Sequence, residues 1–381
     1  MNLTRTAFGT WNGGRFMNFG EPVEEGRFIA LIQRAYERGI RTFMTADTYG
    51  SGAADAALGK ALAGLPRDSY CLVSMIGHDF YAGLRDGQKG FPRFTDPRYR
   101  QPREFVDYVR MATEKALARC GTDRFDCLML HNPDSIGYSH DSVWTALQRM
   151  QEEKMTDLLG VAPGPANGFT LDLMLCMERF AALLDWAMVI LSPMEPWPGR
   201  LVLPVAEKHA VQLVTRVVDH GGVFHDDVKP GHTFGPRDHR TFRPAGWVEQ
   251  GNAKMEAMRP IAERHGLTML QLACAWNLAH PQVRSVVPTL IQEVGESAKP
   301  IEAKVDDLAS LPEVTLSHEE VQEIEEIGNN TGCMELKGGN PAYTGDALPD
   351  RWALNDDLRS VADRWKIAPE QDLICTHSHA A

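Results

Sequence analysis

Groups able to hold or move a proton gather in four short stretches of this 381-residue chain. MTADTYG sets Asp47 two residues before the Tyr49 phenol, SMIGHD adds His78 and Asp79, and HNPD adds His131, Asn132 and Asp134. RVVDHGGVFHDD adds Arg216, Asp219, His220, His225, Asp226 and Asp227. A phenol and an imidazole that meet at one point can donate to, or accept from, a carbonyl or hydroxyl oxygen, the elementary step of general acid–base chemistry. Tyr49 and His131 are therefore expected to bind and polarise such an oxygen, with Arg216, Asp219, His220 and His78 moving protons around it. Histidine and carboxylate are also metal ligands. No metal site is assigned, because the candidates His220, His225 and Asp226 match no compact ligand spacing. The competing expectation is that these loop residues pair with Arg237, Arg240 and Arg243.

The elements that must position these groups are legible from hydrophobic period. Short β-rich runs alternate with longer amphipathic stretches, the pattern of βα units around a parallel sheet. Strands are predicted at Arg5–Gly9, Arg41–Thr45, Tyr70–Ser74, Cys127–Leu130, Asp157–Val161, Ala187–Leu191, Gln212–Val217 and Val283–Val287. Eight strands imply an α/β fold of the closed (β/α)8 TIM-barrel type, in which reacting groups sit at the C-terminal strand ends. Between them, EEGRFIALIQRAYERG, REFVDYVRMATEKALARCG and NAKMEAMRPIAERHG carry apolar residues three to four apart. Two long connections, after strands three and seven, are rich in aromatics, Arg and His and are expected to wall the site. Trp11, Met44, Met75, Asn132, Glu195 and Trp197 are expected to line the substrate pocket. Arg85, Arg93, Arg98, Arg100 and Arg103 make the strand-three loop basic, which suits an anionic or polyhydroxylated substrate.

A formal charge of −12 with 24% charged residues and no basic block gives no electrostatic footprint for nucleic acid. No run approaches the length of a membrane span and the N-terminus lacks a signal-peptide pattern, so a cytoplasmic location is expected. The seven cysteines include no CxxC pair, the pattern of reduced, buried thiols. Residues 1–328 are expected to form the barrel. Residues 329–381 lose periodicity and are expected to pack on the barrel or make an oligomer contact, so a homo-oligomer is a possible state.

RAYERGIRTFMTADTYGSGAADAALGKAL resembles the aldo/keto reductase pattern of Gly-Ile-Asn, Asp-Thr-Ala, Tyr-Gly and Leu-Gly-Lys-Ala-Leu. KALARCGTDRFDCLMLHNPD is similar to that family's helix and its His-x-Pro-Asp strand end, and LACAWNLAHPQVRSVVP to its last helix and eighth strand. The resemblance implies a four-residue set of Asp, Tyr, Lys and His, in which Tyr49 and His131 match while Met44 stands for the Asp and Met75 for the Lys. It also implies NAD(P) as cofactor, and here the pattern is broken again. GVAPG puts Ala162 and Pro163 where the family has Ser-Asn, and VVPTLIQEVGESAKP puts Thr289 in its phosphate turn with Glu293 and Glu296 nearby. Thr289 is the one cofactor-binding candidate, and the cofactor expectation is none or NAD(P), with a divalent metal as the further option. Losing both members of a buried ion pair to apolar side chains is nearly neutral, whereas losing one costs about 3–5 kcal/mol. The expected activity is redox-neutral elimination, isomerisation or hydrolysis on a polar, carbonyl- or hydroxyl-bearing, sugar-like small molecule. The alternatives are an NAD(P)H-dependent reductase or dehydrogenase and a non-catalytic barrel subunit.

Overall fold

The computed structural model describes residues 2–85, 90–164, 168–243, 245–296, 298–331 and 354–373. Eight parallel strands follow one another in chain order: β1 Ala7–Gly9, β2 Thr42–Ala46, β3 Cys71–Ile76, β4 Phe125–His131, β5 Thr156–Ala162, β6 Trp186–Ile190, β7 Gln212–Arg216 and β8 Val283–Val287. The ring closes between its ends, where Thr6 bridges Val286 in parallel and Val286 N donates to Arg5 O at 2.9 Å. All eight predicted strands are present. The structure extends β4 through His131 and β3 through Ile76, which brings the chemistry-bearing residues to within one or two positions of the ladder.

Alternation along the strands separates two cores. Phe8, Phe43, Leu72 and Leu128 face the helices, and against them pack Phe28, Leu31, Ile32 and Ala35 of the helix Glu25–Glu37. Met44, Val73, Met75, Met129, Trp186 and Met188 instead fill the barrel, together with Ala7 and Val214. The Met129 side chain and the β6 backbone close on Gly160, whose absent Cβ would lie 2.8 Å from Met129 Cγ and 2.9 Å from the Trp186 carbonyl oxygen. Methionine adapts to such an irregular interior because its thioether chain has three rotatable bonds. The helix Phe105–Cys120 stops where the sequence places Gly121, in the left-handed conformation at φ 66°.

The long strand-seven connection lies over the barrel as a pinned strap. Arg240 is buried between two carboxylates, donating to Asp238 Oδ1 at 2.9 Å and Glu293 Oε1 at 2.5 Å, while Asp238 also accepts from Gly20 N at 2.7 Å. Three segments distant in sequence thus share one charged knot. Of the tail, the helix Asp356–Arg364 packs beside the helix Thr170–Phe180, where Trp365 Nε1 donates to Glu178 Oε1 at 2.8 Å. Residues 332–353 and 374–381 lie outside the described residues. Cys71, Cys120, Cys127, Cys176 and Cys274 are buried and form no disulfide among the described residues, while Cys333 and Cys375 fall outside them. Among the described residues no helix is long and apolar enough to cross a membrane.

Candidate active site

Asp47, just past β2, ties the first three strand ends together. Its own N–H donates to Met75 O at 3.0 Å. Its Oδ1 accepts from Thr48 N at 2.7 Å, and its Oδ2 accepts from Gly77 N at 3.0 Å and His78 N at 3.3 Å. Gly77 is required there, since a Cβ would lie 2.0 Å from His131 O. With β3 and β4 so close, the His78 and His131 rings meet edge to face with centroids 5.0 Å apart, and both Nδ1 atoms look toward Asp47 Oδ1, at 4.0 and 3.6 Å. Both histidines are buried, and neither Nδ1 has a hydrogen-bond partner among the described residues.

Tyr49 begins a tight turn in which Gly50, Ser51 and Gly52 all have positive φ. That turn directs the phenol ring between Trp11, 6.1 Å away, and His131, 5.7 Å away, both edge-on. Its floor is the barrel filling, to which Met44, Met75 and Trp11 belong and against which Tyr49 packs. Desolvation pushes the Tyr49 phenol up to about 12, with the Arg216 charge opposing and Asp47 adding to the rise. Desolvation lowers His131 as well, against the pull of Asp47, and it lowers His78 well below the usual imidazole range with help from Arg93. At neutral pH the site therefore holds a protonated phenol and two uncharged imidazoles.

Asn132, with φ at 45°, closes the wall on the β4–β5 side, its N–H donating to Ala162 O at 2.8 Å. Gly164 lies against the Asn132 Oδ1 and Arg216 Nη2 atoms so closely that a Cβ would come within 2.6 and 2.9 Å of them. Arg216 donates to Pro163 O at 3.0 Å, and Arg93, from the strand-three loop, donates to Asn132 O. The other arginines of that loop are largely matched: Arg98 pairs with Asp96 and Arg100 with Asp79, each at 2.6 Å.

The structure thus gathers Trp11, Met44, Tyr49, Met75, His78, His131, Asn132 and Arg216. It engages the remaining predicted residues elsewhere. Asp219 accepts from Thr289 N at 2.7 Å and Gly222 N at 2.8 Å, which joins β7 to the turn after β8. His220 faces Glu195, 3.9 Å from its Oε2, and Arg243 approaches the same oxygen at 3.4 Å. Trp197 donates its indole N–H to Asp372 O at 2.7 Å. The three metal candidates are not brought together. His220 is beside Glu195, His225 Nε2 is 2.8 Å from Thr289 O, and Asp226 is paired with Lys229 and with Arg259. Among the described residues, the His/Asp group whose ligating atoms come within 4.8 Å of one another is Asp47, His78 and His131. Sequence marks Asp47 as a proton-holding group beside Tyr49 and Arg93 as part of the basic strand-three loop, but gives neither a site role. The signal for Asp47 was its place in MTADTYG, two residues before Tyr49; nothing local set Arg93 apart from its neighbours, and it reaches the site through loop packing.

The profile of the aldo/keto reductase family matches residues 6–329. The chain belongs to the aldo/keto reductase family. It is 22% identical over 356 residues to the versiconal hemiacetal acetate reductase of Aspergillus parasiticus, covering 81% of this chain and 91% of the relative. The glycerol dehydrogenase AKR11B4 of Gluconobacter oxydans superposes with a TM-score of 0.66 at 22% identity, covering 86% of this chain and 92% of that one. An aldo/keto reductase of Klebsiella pneumoniae, solved in complex with NADP and acetate, superposes with a TM-score of 0.58 at 21% identity over 85% of this chain and 91% of that one.

Proposed function

We propose that this aldo/keto reductase family member acts on a polar, carbonyl- or hydroxyl-bearing, sugar-like small molecule by redox-neutral proton transfer. Tyr49 and His131 polarise a substrate oxygen. The observation that carries the reading is the convergence of Tyr49, His131 and His78 around Asp47, above a floor in which Met44 and Met75 are both buried. A phenol at about 12 donates a hydrogen bond and is a poor base near neutrality. The neutral imidazoles are the groups able to accept a proton, and Asn132, Arg93 and Arg216 are positioned to hold the substrate's polar ends. Removal of a proton beside a carbonyl sends its electron pair to the oxygen that Tyr49 steadies. Return of the proton to the former carbonyl carbon, with the α-hydroxyl proton passing to the former carbonyl oxygen, gives isomerisation. Re-formation of the carbonyl with the β C–O bond breaking, the hydroxyl leaving as water with the proton held by the imidazolium, gives elimination.

The family implies a nicotinamide dinucleotide, and the residues that would meet it do not fit. Ala162 and Pro163 have no side chain able to hydrogen-bond the carboxamide, and Pro163 O already accepts from Arg216. Beyond β8, Thr289 N donates to Asp219 and Leu290 N to Asn12, at 2.7 and 2.9 Å, while Lys299 and Lys304 donate to His225 O and Ile291 O. A second reading, an NAD(P)H-dependent reductase or dehydrogenase, draws on the Klebsiella neighbour bound to NADP and on the oxidoreductase names of the other relatives.

One experiment separates the two. Purified protein is incubated with hydroxy-carbonyl sugars and sugar acids in D2O and followed by NMR, without nicotinamide. The proposal expects deuterium entering the substrate, with Tyr49→Phe and His131→Ala each slowing turnover by about 10²–10⁴-fold. Micromolar NADPH binding with steady NADPH oxidation by an aldehyde would establish the second reading and end the first.

A further inference from the structure

We propose that Asp47, His78 and His131 form a three-ligand site for a divalent first-row metal ion beside Tyr49. This rests on the reading of Tyr49 and His131 as the oxygen-polarising pair; with the ion in place it does the polarising, and because both imidazoles then ligate through Nδ1, an oxygen at the ion's open position rather than an imidazole takes the proton.

Two buried imidazole nitrogens without hydrogen-bond partners face the same carboxylate oxygen, an arrangement that is costly if nothing joins them. The Asp47 Oδ1 atom lies 3.6 Å from His131 Nδ1 and 4.0 Å from His78 Nδ1, too far for hydrogen bonds. Those separations are close to what one ion imposes. Ligands about 2.1 Å from a tetrahedral centre are about 3.4 Å apart, so Asp47 Oδ1, at 3.6 Å from His131 and 4.0 Å from His78, would close by about 0.2 Å on the first ring and about 0.6 Å on the second. Two histidines with one carboxylate leave coordination positions open, as catalytic zinc and non-haem iron sites do.

The surroundings hold the ligands in place rather than supplying them by chance. Asp47 is oriented by the N–H groups of Thr48, Gly77 and His78. The His78 carbonyl accepts from Tyr108 Oη at 2.8 Å, and its backbone bridges Arg93. Outer partners of this kind fix ligand geometry and tune affinity. Charge then narrows the ligand. Arg93 and Arg216 both act on His131, so a divalent ion with one carboxylate leaves the site strongly positive. An anionic hydroxy acid, chelating the ion through hydroxyl and carboxylate oxygens with its far end at the guanidinium groups, restores the balance.

The test uses the full chain dialysed against a chelator and titrated with Co(II), with and without excess glycolate. The ligand-field absorption of the bound ion and calorimetric stoichiometry are followed. One equivalent is expected in at least one condition. His78→Ala and Asp47→Asn should weaken it by more than about a hundredfold, since even outer-partner changes cost 10–100-fold. His78→Gln with circular dichroism guards against a misfolded variant, and His318→Ala, on the surface, should bind as the wild type does. No equivalent in either condition, or binding that survives His78→Ala and Asp47→Asn, overturns the site. If binding is absent while Tyr49→Phe and His131→Ala still abolish turnover, the metal proposal falls and the functional reading stands. If one equivalent binds at these ligands while Tyr49→Phe and His131→Ala keep full turnover, the site stands and the functional reading falls.

Discussion

Met44 and Met75 are fully buried one layer below Tyr49, in neighbouring strands whose register pairs Ala46 with Met75. A lone charge at either position would be stranded in the barrel filling, at a cost of about 3–5 kcal/mol, whereas two opposite charges would partly satisfy each other. Met44→Asp and Met75→Lys are thus expected to destabilise the protein strongly one at a time and much less together. Urea unfolding of the four forms measures the coupling as a double-mutant cycle. Additive losses would mean that the two side chains do not share a site. The place of this pair at the family's Asp and Lys positions is a reading from sequence, resting on motifs whose spacing is otherwise intact. The Tyr49–His131 pairing was legible for the same reason. What sequence could not place was Asp47: its role depends on three backbone N–H groups converging from β2 and β3, which is a property of register and not of residue type.

Strands and helices communicate through buried polar chains as well as apolar contact. Thr10 Oγ1 donates to Thr45 Oγ1 at 3.3 Å, Thr45 donates to Asp55 Oδ1 at 2.7 Å, and Asp55 is held by Arg119, whose Nη1 donates to Tyr81 Oη at 3.0 Å. The chain runs from β1 and β2 through the helix Ala53–Leu62 and the helix Phe105–Cys120 to the strand-three loop. Asp55 is completely buried while Arg119 keeps partial exposure, so desolvation outweighs the pair and raises the carboxyl to about 6. A carboxyl whose folded pKa lies above its unfolded value of about 3.9 makes the folded state bind more protons between those limits. Stability should therefore fall as pH rises from about 4 to about 6, by on the order of 3 kcal/mol from this group, and level off above. Unfolding free energies across that window should show the slope in the wild type and lose it in Asp55→Asn. An equal slope in both would assign it to another group. The element order itself was open to reading because period two and period 3.6 leave different marks; β8 was read to the residue, while other strand boundaries lie up to two residues from the prediction, β3, β4 and β5 ending later because burial continues past the β-branched runs.

Across the whole molecule, the strap after β7 is the feature for which sequence offered two expectations, proton-moving groups or pairing with the arginines of the strap. Its histidines and carboxylates suggested proton transfer or metal binding, yet they hold the barrel mouth together. Asp219 and His225 meet the backbone of Thr289, Lys304 Nζ is 2.7 Å from Asp227, and Arg240 joins Asp238 to Glu293. Glu293 had looked like an obstacle to phosphate; it is the buried partner of Arg240, and the two form one clasp between the strap and the turn after β8. Such pairs lie fifty or more residues apart, and nothing in local spacing links them. A clasp of this kind makes a specific demand on dynamics. Glu293→Ala leaves the Arg240 guanidinium buried with only Asp238 opposite, which should cost about 3–5 kcal/mol. The loss should appear first as local opening. Hydrogen exchange is expected to rise in residues 219–243 and 289–293 while amides of β2–β4 stay protected. Uniform deprotection, or none in the strap, would mean that the barrel mouth is closed by apolar packing of Phe234 on Trp247 and not by the charged knot.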